Sequence, residues 1–352
     1  MLFRSILVAS LMAGLTPLGF ADLTYISIDA PGATRGTVAT GINDQGQIVG
    51  WYLDATSYHG FLDMGGVFSN IDVPGTQTTI VSGINDFGQI VGQYSDSTGT
   101  HGFLYSAGTF TSLDYPKFPG DHSGQNTIAR GVNNSGQIVG LYGNATGMHG
   151  FLDDHGSFST IDYAGTTQLN LFGVNDPGQI VGVSAGPNGY LYSGGSFSAI
   201  NCPGGSGGTE PFDINNQGLI VGEYVVANVQ QGFLDAGGDC STIAFPGATF
   251  GTVAFGVNDS GAIVGQYGDS DQANGLHGFL AVPQAAAVPE PSALPIVLGV
   301  LIGVVGFRTL AQRRSRQLLT PEAASHVIVY HAGGLHKGVT DGRANEGKAA
   351  LR

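Results

Sequence analysis

The stretch Gly41–Tyr52, GINDQGQIVGWY, decides how this chain is built, because its core returns five more times. The copies are GINDFGQIVGQY from 83, GVNNSGQIVGLY from 131, GVNDPGQIVGVS from 173, DINNQGLIVGEY from 213 and GVNDSGAIVGQY from 256. Their periods of 42, 48, 42, 40 and 43 residues lie in the range of propeller blades and solenoid repeats.

Two more landmarks recur in each unit. HGFL stands at 59, 101, 149 and 277, with NGYL at 188 and QGFL at 231. FSNIDVPG follows at 68, FTSLDYPKFPG at 110, FSTIDYAG at 158, FSAINCPG at 197 and CSTIAFPG at 240. At period two, the first unit reads as strands over 37–42, 47–52, 59–63 and 67–72, each bounded by Gly, Asn or Pro. Four short antiparallel strands per unit is the pattern of a propeller blade.

The last unit stops at 282 without a fourth strand, and a spare copy, YISIDAPG, sits at 25–32. The predicted fold is therefore all-β: a six-bladed β-propeller over 22–282, closed by the N-terminal strand. Closure removes free sheet edges. An open solenoid is the alternative.

Inside the repeated core, Asn and Asp can cap a turn, and Gly46, Gly88, Gly136, Gly178, Gly218 and Gly261 suit a left-handed residue. The position after the first Asn varies between Asp and Asn (Asn134, Asn216), which fits a structural turn better than a calcium ligand set. The repeated His59, His101, His149 and His277 read as layer positions bonding neighbouring backbone. No catalytic residue, metal site or cofactor is expected, since GxSxG, HExxH and P-loop patterns are absent.

The repeat breaks twice. PKFPGDHSGQN at 116–126 carries Asp121 and His122, and the loop from 268 carries Asp269 and Asp271. Alternating strand direction puts both breaks on the end opposite the Asn-Asp-x-Gly turns, the candidate binding face. The stalk is expected to leave from the turn end, which would then look toward the membrane.

Charge narrows the partner. The chain carries a formal net charge of −14, and residues 22–288 hold 3 basic against 22 acidic residues. Nucleic acid is excluded as a partner, because phosphate binding needs Lys and Arg. Cys202 ends one outer strand and Cys240 begins the next at its opposite end. A six-residue strand is about 20 Å long and a disulfide needs Cα atoms within about 7 Å, so no intramolecular bond is expected.

The termini carry addresses. Residues 1–21 combine Arg4, an apolar run and small residues before a cut after Ala21, as in a signal peptide. At the other end come a Pro/Ala stalk over 283–292, an apolar segment over 293–311 predicted as a transmembrane helix, and the cluster Arg313, Arg314 and Arg316. The rest of 312–352 lacks periodicity and reads as a disordered tail. The order Pro-Glu-Pro, apolar helix, basic cluster resembles the PEP-CTERM sorting signal of Gram-negative bacteria, and the HGF landmarks resemble HAF-type extracellular repeats. The long tail departs from such signals, which normally end soon after the basic cluster.

The resemblance implies that Pro289, Glu290 and Pro291 are read by an exosortase. It also implies an inner-membrane intermediate, then a place at the cell surface or in the extracellular matrix, with exopolysaccharide as partner. The expected function is an exported, non-catalytic repeat protein offering polar contacts. A secreted glycan hydrolase or lyase using carboxylates on the insertion-bearing face is the alternative. A cation-stabilised adhesin is a third reading.

Overall fold

The computed structural model describes residues 23–116, 125–163, 166, 168–184, 189–205, 208–270 and 275–284. The signal-peptide region with Ala21, the sorting motif Pro289, Glu290 and Pro291, the 293–311 segment and the arginines 313, 314 and 316 lie outside these residues.

The first unit folds into strands Gly36–Ile42, Gln47–Leu53, Tyr58–Met64 and Phe68–Asn70, paired in that order. Its pattern explains the pairing. Ile48 and Val49 point to opposite faces of the sheet, Ile48 toward the preceding unit's Val264 and Val49 toward the next unit's Val81 and Phe103. Both faces are covered, so the core lies between sheets. Gly50 pairs with Phe61 across the strands, and Phe61, Phe103, Phe151, Phe233 and Phe279 are fully buried. Burying one such side chain stabilises by about 1.5–3 kcal/mol. The glycine is obligatory there, because a Cβ on Gly50 would fall on the Val38 carbonyl oxygen and 2.9 Å from the Phe61 ring.

The chain closes on itself. Leu23–Ile28 pairs antiparallel with Leu276–Pro283, from Leu23 opposite Pro283 to Ile28 opposite Gly278. It thereby supplies the fourth strand of the last unit, as the strand count anticipates. Pro283 lies at the turn end, two residues past Ala281, which pairs with Ile263.

The sheets correct the expected architecture. Four are separate four-stranded blades, but the second and third units share one eight-stranded sheet. Gly99 and Thr100 pair in parallel with Gln125 and Asn126, which fuses the two units. In the sequence the 116–126 insertion stands between these two units. The fold is thus an all-β propeller with four free-standing blades and one double sheet, not six separate blades. The expected C-terminal transmembrane helix falls outside the described residues, and among those no helix is long and apolar enough to cross a membrane.

A second correction concerns the cysteines. Cys202 and Cys240 form a disulfide with Cα atoms 5.6 Å apart. The outer strand Ser196–Ile200 ends before Cys202. The link then crosses the face of the next sheet, where Cys202 N donates to Thr209 Oγ1 at 3.0 Å. There it joins a cluster with Tyr224 and Phe233, and Cys240 packs against that cluster. The link brings one cysteine to the next blade's outer strand, whereas a strand-end placement keeps them a strand length apart.

Candidate functional site

Six inner turns surround the axis at one end. Each first Asn bonds its own turn and the next one: Asn43 Oδ1 accepts from Gln47 N at 2.9 Å, and Asn43 Nδ2 donates to Asn85 O at 3.1 Å. The chain of bonds continues through Asn85, Asn133, Asn175 and Asn215 to Asn258, whose Nδ2 returns to Asn43 O. Gly46 closes its turn at φ 73°, a left-handed value suited to glycine.

A second ring runs outside the first. Asp44 N donates to Asp86 Oδ1 at 2.8 Å, and the pattern repeats until Asp259 N donates to Asp44 Oδ1 at 2.8 Å. This geometry accounts for the alternation of Asp and Asn. Asn134 Nδ2 donates to Asp86 Oδ2 and Asp176 Oδ2, and Asn216 Nδ2 donates to Asp176 Oδ2 and Asp259 Oδ2. The amides separate carboxylates. Asp44 has Asp on both sides, and burial, then the charges of Asp86 and Asp259, push its carboxyl up against the pull of the Asp259 N–H. Among the described residues, no three His, Cys, Asp or Glu converge as a metal-ligand set.

The opposite end carries four histidine stations. His101 is held on both ring nitrogens: Nδ1 lies 3.0 Å from Asp114 Oδ1, and Nε2 lies 2.8 Å from Thr98 Oγ1. Its ring stacks on Tyr94 with centroids 5.0 Å apart. His149 repeats this with Asp162, Thr146 and Tyr142, and His59 with Asp72, Ser57 and Tyr52. His277 takes Asp29, at 2.7 Å, from the N-terminal closing strand. The partners expected from the sequence were backbone groups; the structure supplies carboxylates and hydroxyls.

The hydroxyl–imidazole–carboxylate order resembles a nucleophile–base–orienter chain. Its hydrogen bonds do not. Thr98 Oγ1 donates its proton to Asp96 Oδ1 at 2.6 Å, and Thr146 Oγ1 donates to Asn144 Oδ1 at 2.6 Å. At these two stations the imidazole has no hydroxyl proton left to take; at His59 the hydroxyl is that of Ser57, 3.3 Å from Nε2. The Thr98 hydroxyl and N–H pull the Asp96 carboxyl down to about 2, and the N–H groups of Thr56 and Ser57 do the same to Asp54. These side chains hold loops.

Of the four residues assigned to the binding face from the sequence, Asp121, His122 and Asp271 lie outside the described residues. Asp269 is placed. Its Oδ2 is 3.6 Å from His277 Nε2, the station that Asp54 and Asp96 occupy in other units, so it belongs to the repeat.

An axial cavity was missed from the sequence. Every inner strand has a register shift, as between Ala39 and Gly41 or Ala129 and Gly131. A bulge re-aims the extra residue, and here the six bulge residues line a cavity of about 240 Å³. In chain order they are Thr40, Ser82, Arg130, Phe172, Phe212 and Phe255. The one signal for them is position: each stands just before the Gly-Ile/Val-Asn or Asp-Ile-Asn step. Where five units have that Gly, the fifth has Asp213, whose Oδ2 accepts from Val257 N at 3.0 Å. Burial pushes its carboxyl up to about 7 against the pull of that N–H. Glu223, opposite Glu210 across the strands, is also raised to about 7, first by burial and then by the Glu210 charge.

No protein-family model matches this chain, and no curated protein matches it. Solved structures with a similar fold include a streptogramin B lyase, 13% identical, covering 74% of this chain and 98% of that one at a TM-score of 0.42. A catalytically inactive variant of virginiamycin B lyase from Staphylococcus aureus is 9% identical, covering 74% and 99% at a TM-score of 0.45. A gluconolactonase from Xanthomonas campestris is 12% identical, covering 75% and 91% at a TM-score of 0.45.

Proposed function

We propose that this chain is an exported, non-catalytic β-propeller protein that presents its histidine-bearing end to a polar extracellular ligand. The observation that carries this reading is the uniformity of the four histidine stations. Each of His59, His101, His149 and His277 takes an Asp on Nδ1 and stacks on a Tyr. A catalytic group in a repeated ring would differ from its copies. At Nδ1 and in the stacked ring the four match, while at Nε2 they carry Thr98, Thr146, Ser57 and, at 3.6 Å from His277, Asp269. Together they leave a rigid surface of hydroxyls and carboxylates suited to hydrogen bonding with sugars.

Export is supported by the Cys202–Cys240 disulfide, since such bonds persist in oxidising compartments. Exopolysaccharide as ligand and exosortase as processing partner follow from the resemblance of the C-terminal segment to a PEP-CTERM signal. In this reading the chain passes through an inner-membrane intermediate, and the turn end, where Pro283 lies, faces the membrane.

The experiment is co-sedimentation of the full-length chain with surface polysaccharide from its own cells, with reducing ends assayed in parallel. Retention on the polysaccharide with no new reducing ends is expected. Loss of retention would remove the ligand assignment, and release of reducing ends would favour the glycan hydrolase. Intact mass of the surface form checks processing: it should begin after Ala21 and end near Pro289–Pro291.

A further inference from the structure

The axial cavity is divided into two chemical halves. Thr40, Ser82 and Arg130 come from three successive units, and Phe172, Phe212 and Phe255 from the next three. The aromatic half is continuous: Phe172 meets Phe212 with centroids 5.0 Å apart, and Phe212 meets Phe255 at 5.1 Å. Arg130 stands at the seam, its guanidinium carbon 5.5 Å from the Phe172 ring centroid.

Arg130 Nε is shut off from solvent and has no hydrogen-bond partner among the described residues. A buried donor left unpaired costs roughly 1–3 kcal/mol, and more for a charged group, so the arrangement favours an acceptor. Arginine's fixed fork of donors matches a carboxylate in two parallel bonds. The cavity of about 240 Å³ falls below the range of roughly 300–1,000 Å³ typical of drug-sized ligands. The occupant is therefore small.

We propose that the axial cavity binds a small organic monocarboxylate, its carboxylate on Arg130 and its apolar body against Phe172, Phe212 and Phe255. Beside the three rings the lining offers a sugar little but the Asp213 carboxyl, which already accepts from Val257 N, and an inorganic anion would leave the aromatic half unfilled. This site is separate from the histidine-bearing end, so either assignment can fail alone.

Trp51, the single tryptophan of the chain, also lines the cavity and serves as the reporter. The experiment titrates the purified full-length chain with benzoate and, separately, with benzamide, following Trp51 fluorescence and calorimetry. Benzoate is expected to saturate at one per chain and to bind roughly ten- to a hundredfold more tightly than benzamide, the range of a charge-assisted pair. Arg130→Gln should erase that difference. The benzoate-to-benzamide ratio on the unmodified chain needs no variant, so the test survives if Arg130→Gln fails to fold. Equal binding of the two probes, or no saturable benzoate signal at millimolar concentration, overturns the proposal.

Discussion

The Cα atoms of Cys202 and Cys240 lie 5.6 Å apart at a place where other unit boundaries hold an aromatic pair. Tyr115 meets Phe158 at 5.4 Å, Tyr163 meets Phe197 at 5.1 Å, and Phe245 meets Tyr25 at 5.6 Å. In each case a residue of the link touches the first residues of the next unit's outer strand. The disulfide replaces one ring contact in this series and cross-links residues 38 apart.

Removing it should therefore loosen one boundary. Cys202→Ala with Cys240→Ala is expected to lose about 2–4 kcal/mol, the usual range for a loop of that size. Cys202→Tyr with Cys240→Phe rebuilds the neighbouring pattern and should recover about 0.5–1.5 kcal/mol of that loss. Urea unfolding midpoints decide the matter. An unchanged midpoint in the double alanine variant, or a native mass unmoved by reduction, would contradict the assignment.

The outer turn ring makes a prediction of the opposite sign. Asp44 sits between Asp86 and Asp259, whereas Asn134 and Asn216 each bridge two carboxylates. Asp44→Asn keeps the Oδ1 acceptor used by Asp259 N and adds donors toward both neighbours. It is expected to stabilise by about 0.5–1 kcal/mol, and Asn134→Asp to destabilise by about 1–2 kcal/mol. Both effects should shrink in high salt. Equal midpoints for the two variants would show that the ring is electrostatically indifferent.

How much of this was legible in the sequence depends on range. The strand predicted over 37–42 is observed as Gly36–Ile42, and the turn glycines and the closing strand fall where the repeat puts them. These features follow from local chemistry and counting. The partner of His277 is Asp29, 248 residues away, so only ring closure defines that station. The fusion of two units through Gly99 and Gln125 is a pairing between units that no local pattern announces. The cavity depends on a one-residue bulge, which changes where Arg130 points without changing the strand pattern. Aligning the units position by position does bring Cys202 onto Tyr163, and Cys240 onto Phe197. That is the one signal by which the disulfide was within reach.

The glycine of each Ile-Val-Gly step should be among the least replaceable residues. A Cβ on Gly92 would fall on the Ile80 carbonyl oxygen and 2.8 Å from the Phe103 ring. Neither backbone nor a fully buried ring can yield cheaply. Gly92→Ala is expected to cost about 3 kcal/mol or more, the upper part of the range for single substitutions. Gly65→Ala makes the comparison, since its Cβ would meet nothing within 4 Å and only its φ of +66° resists. A smaller loss for Gly92→Ala than for Gly65→Ala would refute the close-approach account.

The buried acids set the pH dependence. Asp213 and Glu223 titrate near 7 in the fold, against ordinary values of 3.8 and 4.5. Between those limits the folded chain holds protons that the unfolded chain has released. Stability from these two groups is therefore full at low pH, falls as pH rises through about 4 to 7, and levels off above. Asp54 and Asp96 act in the other direction. Held down to about 2, they contribute above the ordinary value and lose that contribution as pH falls toward 2. The combined contribution of these four groups peaks near pH 4. Urea unfolding between pH 5 and 8 removes Asp54 and Asp96 from the comparison, because they are ionised in both states there, and a variant lacking both raised acids isolates the first pair. The midpoint should fall with rising pH in the unmodified chain. It should fall less in Asp213→Asn with Glu223→Gln, where the new side-chain amide oxygen can still accept from Val257 N. A midpoint rising over that window, or an undiminished slope in the double variant, would place the responsible groups elsewhere.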